Sequence, residues 1–363
     1  VRSGHSHLRP RRASHSQPGR PLGRLLEPAV MTTPHAEPLI EVDDAAKTFP
    51  ISSGIFGRAS GYVHAVDGVS FELFPGESLA LVGESGCGKT TMGKLMVKLL
   101  EPTSGRIRLR NDVGLLSDIG PMKGRDLKEF RRRAQMIFQD PYESMNPRRN
   151  VYDTVAEAMV VQGLGTSSDR VDRVMQMLEL VRLTPAEDML FRYPHELSGG
   201  QRQRVAIARA LVISPEFVVA DEPTSMLDVS ISTGIMNLMT DLAQNLGITY
   251  LYITHDLAVA RYMSNRIGVM YSGKLVELAE TEELLANPQH PYTKALLSAV
   301  PVPEPGNVRP PPDIKGDVAR PVDPEPFCRF RERCPIAAQI CHSDPHPPLE
   351  DKGGGHMVAC YRV

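Results

Sequence analysis

The chain has 363 residues, which at about 150 residues per domain suggests two domains with room for flanking segments. Its 41 Lys and Arg nearly balance its 43 Asp and Glu, giving a formal net charge of −2, and this near-neutrality argues against a dedicated nucleic-acid binder. Hydrophobic residues make up 41% of the chain, enough for a sizeable core. No run approaches the ~20 apolar residues that span a bilayer.

The N-terminal segment is basic and lacks hydrophobic periodicity. Its first 30 residues hold six arginines and a single acid, Glu27, among Pro, Ser, His and Gly. It has no apolar stretch of the ~7 residues that a secretory signal needs. We expect residues 1–37 to form a disordered basic arm. A better-patterned sequence begins at Met31, which is the alternative start of the protein.

Strand patterns begin just after this arm. Leu39–Val42 and Val69–Leu73 alternate between apolar and polar residues, which predicts two half-buried strands separated by a Gly/Ser-rich stretch at 52–61. The short apolar run Ser78–Val82 predicts a buried strand that ends at Gly83.

Helical and strand patterns then alternate. Four apolar residues at helical spacing predict a helix that stops before Pro102: Met92, Leu95, Met96 and Leu99. Residues 151–195 predict mainly helix, and Phe217–Ala220 and Thr249–Thr254 predict two more buried strands. This alternation is typical of an α/β fold with a mainly parallel sheet, into which the helical block is inserted.

A phosphate-binding loop is predicted between the strand Ser78–Val82 and the helix that follows. Its glycines let backbone N–H groups point at phosphate oxygens, while the helix N-terminus favours negative charge. A lysine in this pattern reaches the β and γ phosphates, and the following hydroxyl binds Mg²⁺. The residues assigned to nucleotide binding here are Gly83, Glu84, Ser85, Gly86, Cys87, Gly88, Lys89, Thr90 and Thr91.

Two carboxylates follow the strand Phe217–Ala220. Asp221 is placed near the metal, with water between them, and Glu222 is then free to act as a general base on the attacking water. Alone, an apolar run followed by two acids is also typical of an ordinary strand end.

The motif Leu197-Ser198-Gly199-Gly200-Gln201 opens a helix and decides between these interpretations. With it, the chain resembles the ATP-binding cassette (ABC) family. The resemblance implies a fold of three parts: a RecA-like phosphate-loop core, an antiparallel β subdomain and a helical subdomain. It also implies that this motif, by residues Ser198 to Gln201, caps the γ-phosphate held by the loop of a second subunit.

Other family landmarks occur in order. By resemblance, Gln139 contacts Mg²⁺ and the attacking water, Asp228 belongs to the loop that couples two sites, and His255 contacts the γ-phosphate beside Glu222. Met226 stands where family members commonly have alanine. Two aromatic residues compete for adenine stacking, and we assign Phe49 with Tyr62 as its rival.

Several motifs resemble the branch of oligopeptide and dipeptide importers, more their F-type than their D-type subunit. These are Phe138–Arg148, Asn287–Thr293, Ile314–Asp317 and Cys328–Pro335. The resemblance implies an ATPase that powers peptide uptake at the cytoplasmic face of the membrane. The alternatives are a nickel or sugar importer of the same branch and a non-transport ABC ATPase.

The implied partners are a second ATPase subunit, two membrane permease subunits and an extracytoplasmic solute-binding protein, with no nucleic acid. The second ATPase is either a D-like subunit or a second copy of this chain. We expect an ABC domain at 38–285, with its helical subdomain at about 140–204, and an importer-specific extension at 286–363.

Four cysteines in this extension have the spacing C-x5-C-x6-C-x18-C: Cys328, Cys334, Cys341 and Cys360. Four thiolates suit an iron–sulfur cluster or tetrahedral zinc. By resemblance we expect a four-iron, four-sulfur cluster, with no metal and zinc as alternatives. The nine prolines between Pro301 and Pro326 predict an extended linker before the cysteines.

Overall fold

The computed structural model describes residues 37–53, 58–299, 314 and 321–363. The predicted basic arm therefore lies, except for Glu37, outside the described residues, as does most of the predicted proline-rich linker.

Twelve strands occur in the described part of the chain. They are β1 (Ile40–Ser53), β2 (Arg58–Leu73), β3 (Ser78–Val82), β4 (Ser104–Arg110), β5 (Leu116–Asp118), β6 (Ala134–Ile137), β7 (Phe217–Asp221), β8 (Thr249–Ile253), β9 (Arg266–Tyr271), β10 (Lys274–Glu280), β11 (Glu350–Asp351) and β12 (Met357–Val358).

Eleven α-helices occur in the same residues, together with a 3₁₀ turn at Pro194–Glu196. They are α1 (Lys89–Met96), α2 (Gly124–Arg133), α3 (Val151–Gln162), α4 (Ser167–Leu180), α5 (Ala186–Met189), α6 (Gly199–Leu211), α7 (Val229–Leu246), α8 (Leu257–Met263), α9 (Thr281–Ala286), α10 (Pro291–Ser298) and α11 (Ile340–Ser343). None of the helices in the described ranges is both long and apolar enough to cross a membrane.

Two sheets organise these elements. The larger has the strand order β11-β12-β10-β9-β3-β8-β7-β6, and its strands from β9 to β6 run parallel. Every residue of β3, β7 and β8 is buried, as expected where helices cover both faces of a parallel sheet. The smaller sheet is antiparallel, with the order β2-β1-β4-β5. The predicted α/β fold with an antiparallel subdomain is confirmed.

The antiparallel sheet differs from the sequence prediction in one respect. We expected a Gly/Ser-rich stretch at 52–61 to separate two short strands, but β1 and β2 continue into it as far as Ser53 and from Arg58 onward. Irregular steps in their register break the simple alternation of apolar and polar residues. The pattern therefore predicted the strands but underestimated their length.

The first helix is also shorter than its apolar spacing predicts. Helix α1 ends at Met96, and Lys98 adopts a left-handed conformation with φ of 51°. The Lys98 ammonium group donates hydrogen bonds to three backbone carbonyls, those of Ile119, Gly120 and Met122. Leu99, predicted to lie on the buried face, is instead 48% exposed.

The predicted helical block is confirmed as α3, α4 and α5. Asn150 caps α3 by accepting the N–H of Asp153 at 2.7 Å, and Thr166 and Asp169 form a reciprocal capping box on α4. Apolar residues of this block pack in the same core cluster as strands β7 and β8.

Residues after 285 join this core. Strand β12 pairs with β10, so the chain near its C-terminus extends the larger sheet. The carboxylate of Glu277 in β10 is fully buried and accepts the N–H groups of Gln289 and His290 at 2.7 and 3.1 Å. The His356 ring donates from Nε2 to the same carboxylate at 2.7 Å. This buried carboxylate ties three separate segments together.

Replacing His356 with alanine is expected to lower the free energy of unfolding by ~3–5 kcal/mol, because it leaves the buried Glu277 carboxylate without its ring partner. Urea denaturation of purified protein measures this loss. Lys352→Ala is the matched control, since Lys352 pairs with the exposed Glu350 at 3.2 Å, and such surface pairs contribute ~1 kcal/mol or less. Equal losses in the two variants would contradict this account.

Candidate active site

The loop between β3 and α1 depends on glycine at two positions. Gly83 and Gly88 have φ of 149° and 109°. A Cβ atom on Gly88 would lie 2.0 Å from the Ala65 carbonyl oxygen, and one on Gly83 would lie 2.2 Å from that of Met270. Backbone therefore approaches backbone too closely for any side chain.

Lys89 begins α1, and its side chain folds back over this loop. Its ammonium group donates to the carbonyl oxygens of Gly83 and Glu84 at 2.7 and 3.0 Å, and the residue is 5% exposed. The first N–H groups of α1 have no acceptor within the helix. A buried cation beside a helix N-terminus provides a strong site for phosphate.

Thr90 and Asp221 bring two oxygen ligands to the same place. The Thr90 hydroxyl donates to Asp221 Oδ1 at 3.0 Å. Burial raises the pKa of Asp221, and the Thr90 hydrogen bond opposes that shift. Hydroxyl and carboxylate oxygens are ligands that Mg²⁺ accepts, so the side chains predicted to hold it suit that ion.

Glu222 lies next along the chain and is held from two sides. Gln139 Nε2 donates to its Oε2 and His255 Nδ1 to its Oε1, both at 3.0 Å. Its backbone has φ of 45°, and its N–H donates to the Ile253 carbonyl at 2.8 Å. These contacts orient a carboxylate that is only 17% exposed toward a solvent-accessible histidine.

Most of these groups border one cavity of about 440 Å³, a size typical of small-molecule sites. Sequence reasoning predicted all of its lining residues except Ala65, whose strand position carries no motif. The lining residues are Ala65, Ser85, Gly86, Gly88, Lys89, Thr90, Thr91, Gln139, Glu222 and His255. Asp221 lines the neighbouring cavity instead and reaches this one through its hydrogen bond to Thr90.

Cys87 has a packing role within the loop. It is 2% exposed, its sulfur lies 3.6 Å from the Lys89 ammonium nitrogen, and burial raises the pKa of its thiol. Gly83, Glu84 and Cys87 thus form the loop without lining the cavity.

The two aromatic candidates for adenine stacking lie outside the cavity lining. Phe49 and Tyr62 occupy adjacent paired strands and are 36% and 46% exposed. The Lys47 ammonium nitrogen lies 5.4 Å from the centre of the Phe49 ring. The assignment of Phe49 stays a prediction.

The segment Ser198–Gln201 forms the N-terminus of α6 and also lies outside the cavity lining of its own chain. Ser198 is exposed and makes a reciprocal capping box with Gln201. A Cβ on Gly200 would lie 2.7 Å from an Ile231 methyl carbon, so this turn packs tightly on α7. Asp228 stands at the N-cap position of that helix, where it is exposed and its side chain makes no capping hydrogen bond.

The four C-terminal cysteines lie in one region, because the Cys328 thiol interacts electrostatically with those of Cys334, Cys341 and Cys360. Burial raises the pKa of Cys328 to about 11, and also raises those of Cys334 and Cys360.

In the described ranges, no three His, Cys, Asp or Glu side chains are arranged to hold one metal ion. Cys328 and Cys341 pack in the apolar core instead. The ligand set predicted for an iron–sulfur cluster, or for zinc, is not assembled, and that prediction is unsupported.

Comparison with known proteins places the chain in a family. Residues 66–225 match the ABC transporter family, and residues 276–341 match the oligopeptide/dipeptide transporter C-terminal region. The chain is 46% identical over 333 residues to an oligopeptide transport ATP-binding protein, AppF, of Bacillus subtilis, covering 91% of this chain and 99% of that protein. It is 44% identical over 325 residues to a putative peptide import ATP-binding protein of Brucella ovis, covering 90% and 98%.

Solved structures agree with this placement. The ATP-binding cassette MJ0796, in a dimeric post-hydrolysis state bound to ADP and Pi, superposes with a TM-score of 0.58 at 28% identity, covering 67% of this chain and 98% of that one. The structure of cbiO1 from Clostridium perfringens, part of an ABC transporter complex, gives 0.56 at 27% identity, covering 69% and 91%. The chain belongs to the ABC transporter family of ATPases, in the branch that carries the oligopeptide/dipeptide transporter C-terminal region.

Proposed function

We propose that this chain is the ATP-hydrolysing subunit of an importer that carries oligopeptides or dipeptides across the cytoplasmic membrane. One observation carries the catalytic part of this proposal: the buried Lys89 cation, the Thr90 hydroxyl and the doubly held Glu222 border a single cavity, and Asp221 accepts the hydrogen bond of that hydroxyl. The peptide is inferred from the names of the relatives and from the C-terminal match, which favour it over nickel, sugars or a non-transport role.

The proposed reaction is hydrolysis of ATP at its γ-phosphate. Lys89 and the loop N–H groups bind the phosphates, and Glu222 takes a proton from the attacking water while the bond to the β-phosphate oxygen breaks. Gln139 and His255 hold that carboxylate in place, each at 3.0 Å. Thr90, Gln139 and Asp221 would hold Mg²⁺, which neutralises phosphate charge when it is bound.

We further propose that two ATPase subunits form two nucleotide sites together, and that each site contains residues of both subunits. Ser198–Gln201 and Asp228 lie outside the cavity of their own chain, and the exposed α6 N-terminus favours a partner's γ-phosphate. The partner is a second copy of this chain or a related D-like subunit. ATP binding then favours the closed pair and hydrolysis reopens it.

The proposed contact with the two permease subunits is a second cavity beside the first. It has a volume of about 730 Å³ and shares Thr90, Gln139 and Asp221 with the nucleotide region. Helix α3 lines it with Ala158 and Val161. A permease segment bound there would contact Gln139, which also donates a hydrogen bond to Glu222. Movement of Gln139 would therefore change both contacts.

In this proposal, residues 38–285 form the ATPase domain, with 140–204 as its helical subdomain, and residues 286–363 form the extension. The assembly lies at the cytoplasmic face of the membrane and receives peptide from a solute-binding protein outside. Residues on both sides of 285 share the larger sheet, so the extension packs on the domain that it follows.

The Glu222→Gln substitution is expected to lower kcat for ATP hydrolysis by ~10²–10⁴-fold, because it removes the general base. ATP affinity should change little, since the amide keeps the shape of the side chain. Steady-state phosphate release and equilibrium ATP binding separate the two quantities. Glu216→Gln, just before the other end of β7, is the matched control and should retain wild-type turnover. Unimpaired hydrolysis in Glu222→Gln would refute the assigned base.

Asp221→Asn is expected to have opposite effects on the free and nucleotide-bound protein. Burial raises the pKa of Asp221, so folding favours its protonated form, and the carboxylate destabilises the free protein once the pH exceeds that raised pKa. The amide should therefore leave the free protein at least as stable at neutral pH, while Mg-ATP affinity falls by ~10–100-fold. Thermal unfolding with and without Mg-ATP tests both parts. A large loss of stability without nucleotide would contradict this interpretation.

A further inference from the structure

Glu84, the second residue of the phosphate loop, is held by residues more than 200 positions away in the sequence. Both its backbone N–H and its carboxylate are bound by the C-terminal region that matches at 276–341. The mechanism proposed above uses neither of these contacts.

Arg333 binds the carboxylate with both ends of its guanidinium group. Its Nη1 donates to Glu84 Oε2 at 2.9 Å and its Nη2 to Oε1 at 3.1 Å, the two-pronged geometry that makes such pairs strong. The Arg333 side chain is 10% exposed and lies over the Tyr271 ring. Its position is therefore set by packing as well as by charge.

Tyr292 binds the backbone of the same residue. Its hydroxyl oxygen accepts the Glu84 N–H at 2.9 Å, and the residue is fully buried. Its ring packs against those of Tyr271 and Phe330, with centroids 4.7 and 5.5 Å away. Phe330 and Arg333 belong to one turn, linked by an N–H to carbonyl bond of 3.0 Å.

Two further contacts connect the region after residue 320 to the rim of the cavity. Arg329 pairs with Asp67, which also pairs with Lys274 and lies two residues beyond the cavity-lining Ala65. The backbone of residues 321–323 lies along β2 beside Tyr62 and His64, with bonds of 2.8 and 2.9 Å.

We propose that Arg333 is a positioning residue for ATP binding: it neutralises the Glu84 carboxylate and, with Tyr292, holds the phosphate loop open for an anionic ligand. This inference rests on ATP binding at the proposed site. Glu84 is an acid within a loop that binds a triphosphate. Without Arg333, its negative charge would repel that ligand and its side chain would lose its fixed orientation.

The Arg333→Met substitution should therefore raise the Kd for MgADP and the KM for MgATP about tenfold, the usual scale for a hydrogen bond to a charged group. The kcat at saturating MgATP should stay within about threefold, because Glu222 and its partners are unchanged. Isothermal titration calorimetry with MgADP and steady-state hydrolysis of MgATP, on the full chain, measure these quantities. Arg331→Met is the matched control, since Arg331 pairs with Glu325 and Glu332 away from the loop.

A double variant separates this charge effect from general damage. Glu84→Gln combined with Arg333→Met removes both charges, so it should bind MgADP at least threefold more tightly than Arg333→Met alone. Arg333→Lys, which keeps the positive charge, should also recover part of the lost affinity.

Wild-type affinity in Arg333→Met, or a double variant as weak as Arg333→Met, would overturn the inference while leaving the proposed ATPase intact. Failure of the wild-type chain to bind MgADP or MgATP would overturn the proposed function itself, and the inference with it.

Discussion

The buried ammonium group of Lys89 constrains the whole nucleotide region. Lys89 is 5% exposed, and its ammonium group donates to the carbonyls of Gly83 and Glu84 and to the Cys87 sulfur, none of which is a carboxylate. Carbonyl dipoles solvate a buried cation but do not neutralise it. The loop therefore has to stay closely wrapped around the ammonium group, and this wrapping needs glycine where backbone meets backbone, at Gly83 and Gly88. A phosphate would supply the missing negative charge, so the same constraint that shapes the free loop favours its ligand.

The parallel sheet supplies the second half of the site. Strands β7 and β8 pair in register, with Asp221 opposite Ile253. Their carboxyl ends consequently deliver Asp221, Glu222 and His255 to one edge. The Glu222 N–H bonds back to the Ile253 carbonyl at 2.8 Å, which fixes the turn that separates the two acids. One carboxylate is thereby directed to Thr90 and the other to Gln139 and His255.

Motifs that are local in sequence were predictable, because strand, loop and helix N-terminus follow each other within a few residues. Lys89 and Thr90 line the cavity for this reason, and Glu222 and His255, which were assigned with the help of the resemblance to the ABC family, line it as well. Features that depend on distant pairing were not predictable. Ala65 lines the cavity because β2 packs directly against the phosphate loop. The Ala65 carbonyl oxygen is so close to Gly88 that a Cβ atom there would lie 2.0 Å from it.

The same dependence on contacts between distant residues explains where the structure differs from the sequence predictions. Leu99 fits the apolar spacing of α1, but the buried Lys98 turns the chain and ends the helix early. The cluster expected by resemblance at the four cysteines is unsupported in the described residues, where Cys328 and Cys341 pack in an apolar core to which distant strands contribute. The Glu84–Arg333 pair spans 249 positions, and no local pattern marks either partner.

The contacts of the extension, residues 286–363, connect it to the phosphate loop as well as to the core of the fold. It contributes a strand to the larger sheet, a histidine to the buried Glu277, and two side chains to the phosphate loop. Coupling of this kind is reciprocal, since whatever free energy the extension contributes to ATP binding, ATP binding returns to the extension. The turn around Phe330 and Arg333 connects that core to the phosphate loop, because Phe330 packs in the core and Arg333 binds Glu84. A change that shifted this turn would therefore move Arg333 relative to Glu84, whereas the side chains that hold Glu222 are those of Gln139 and His255.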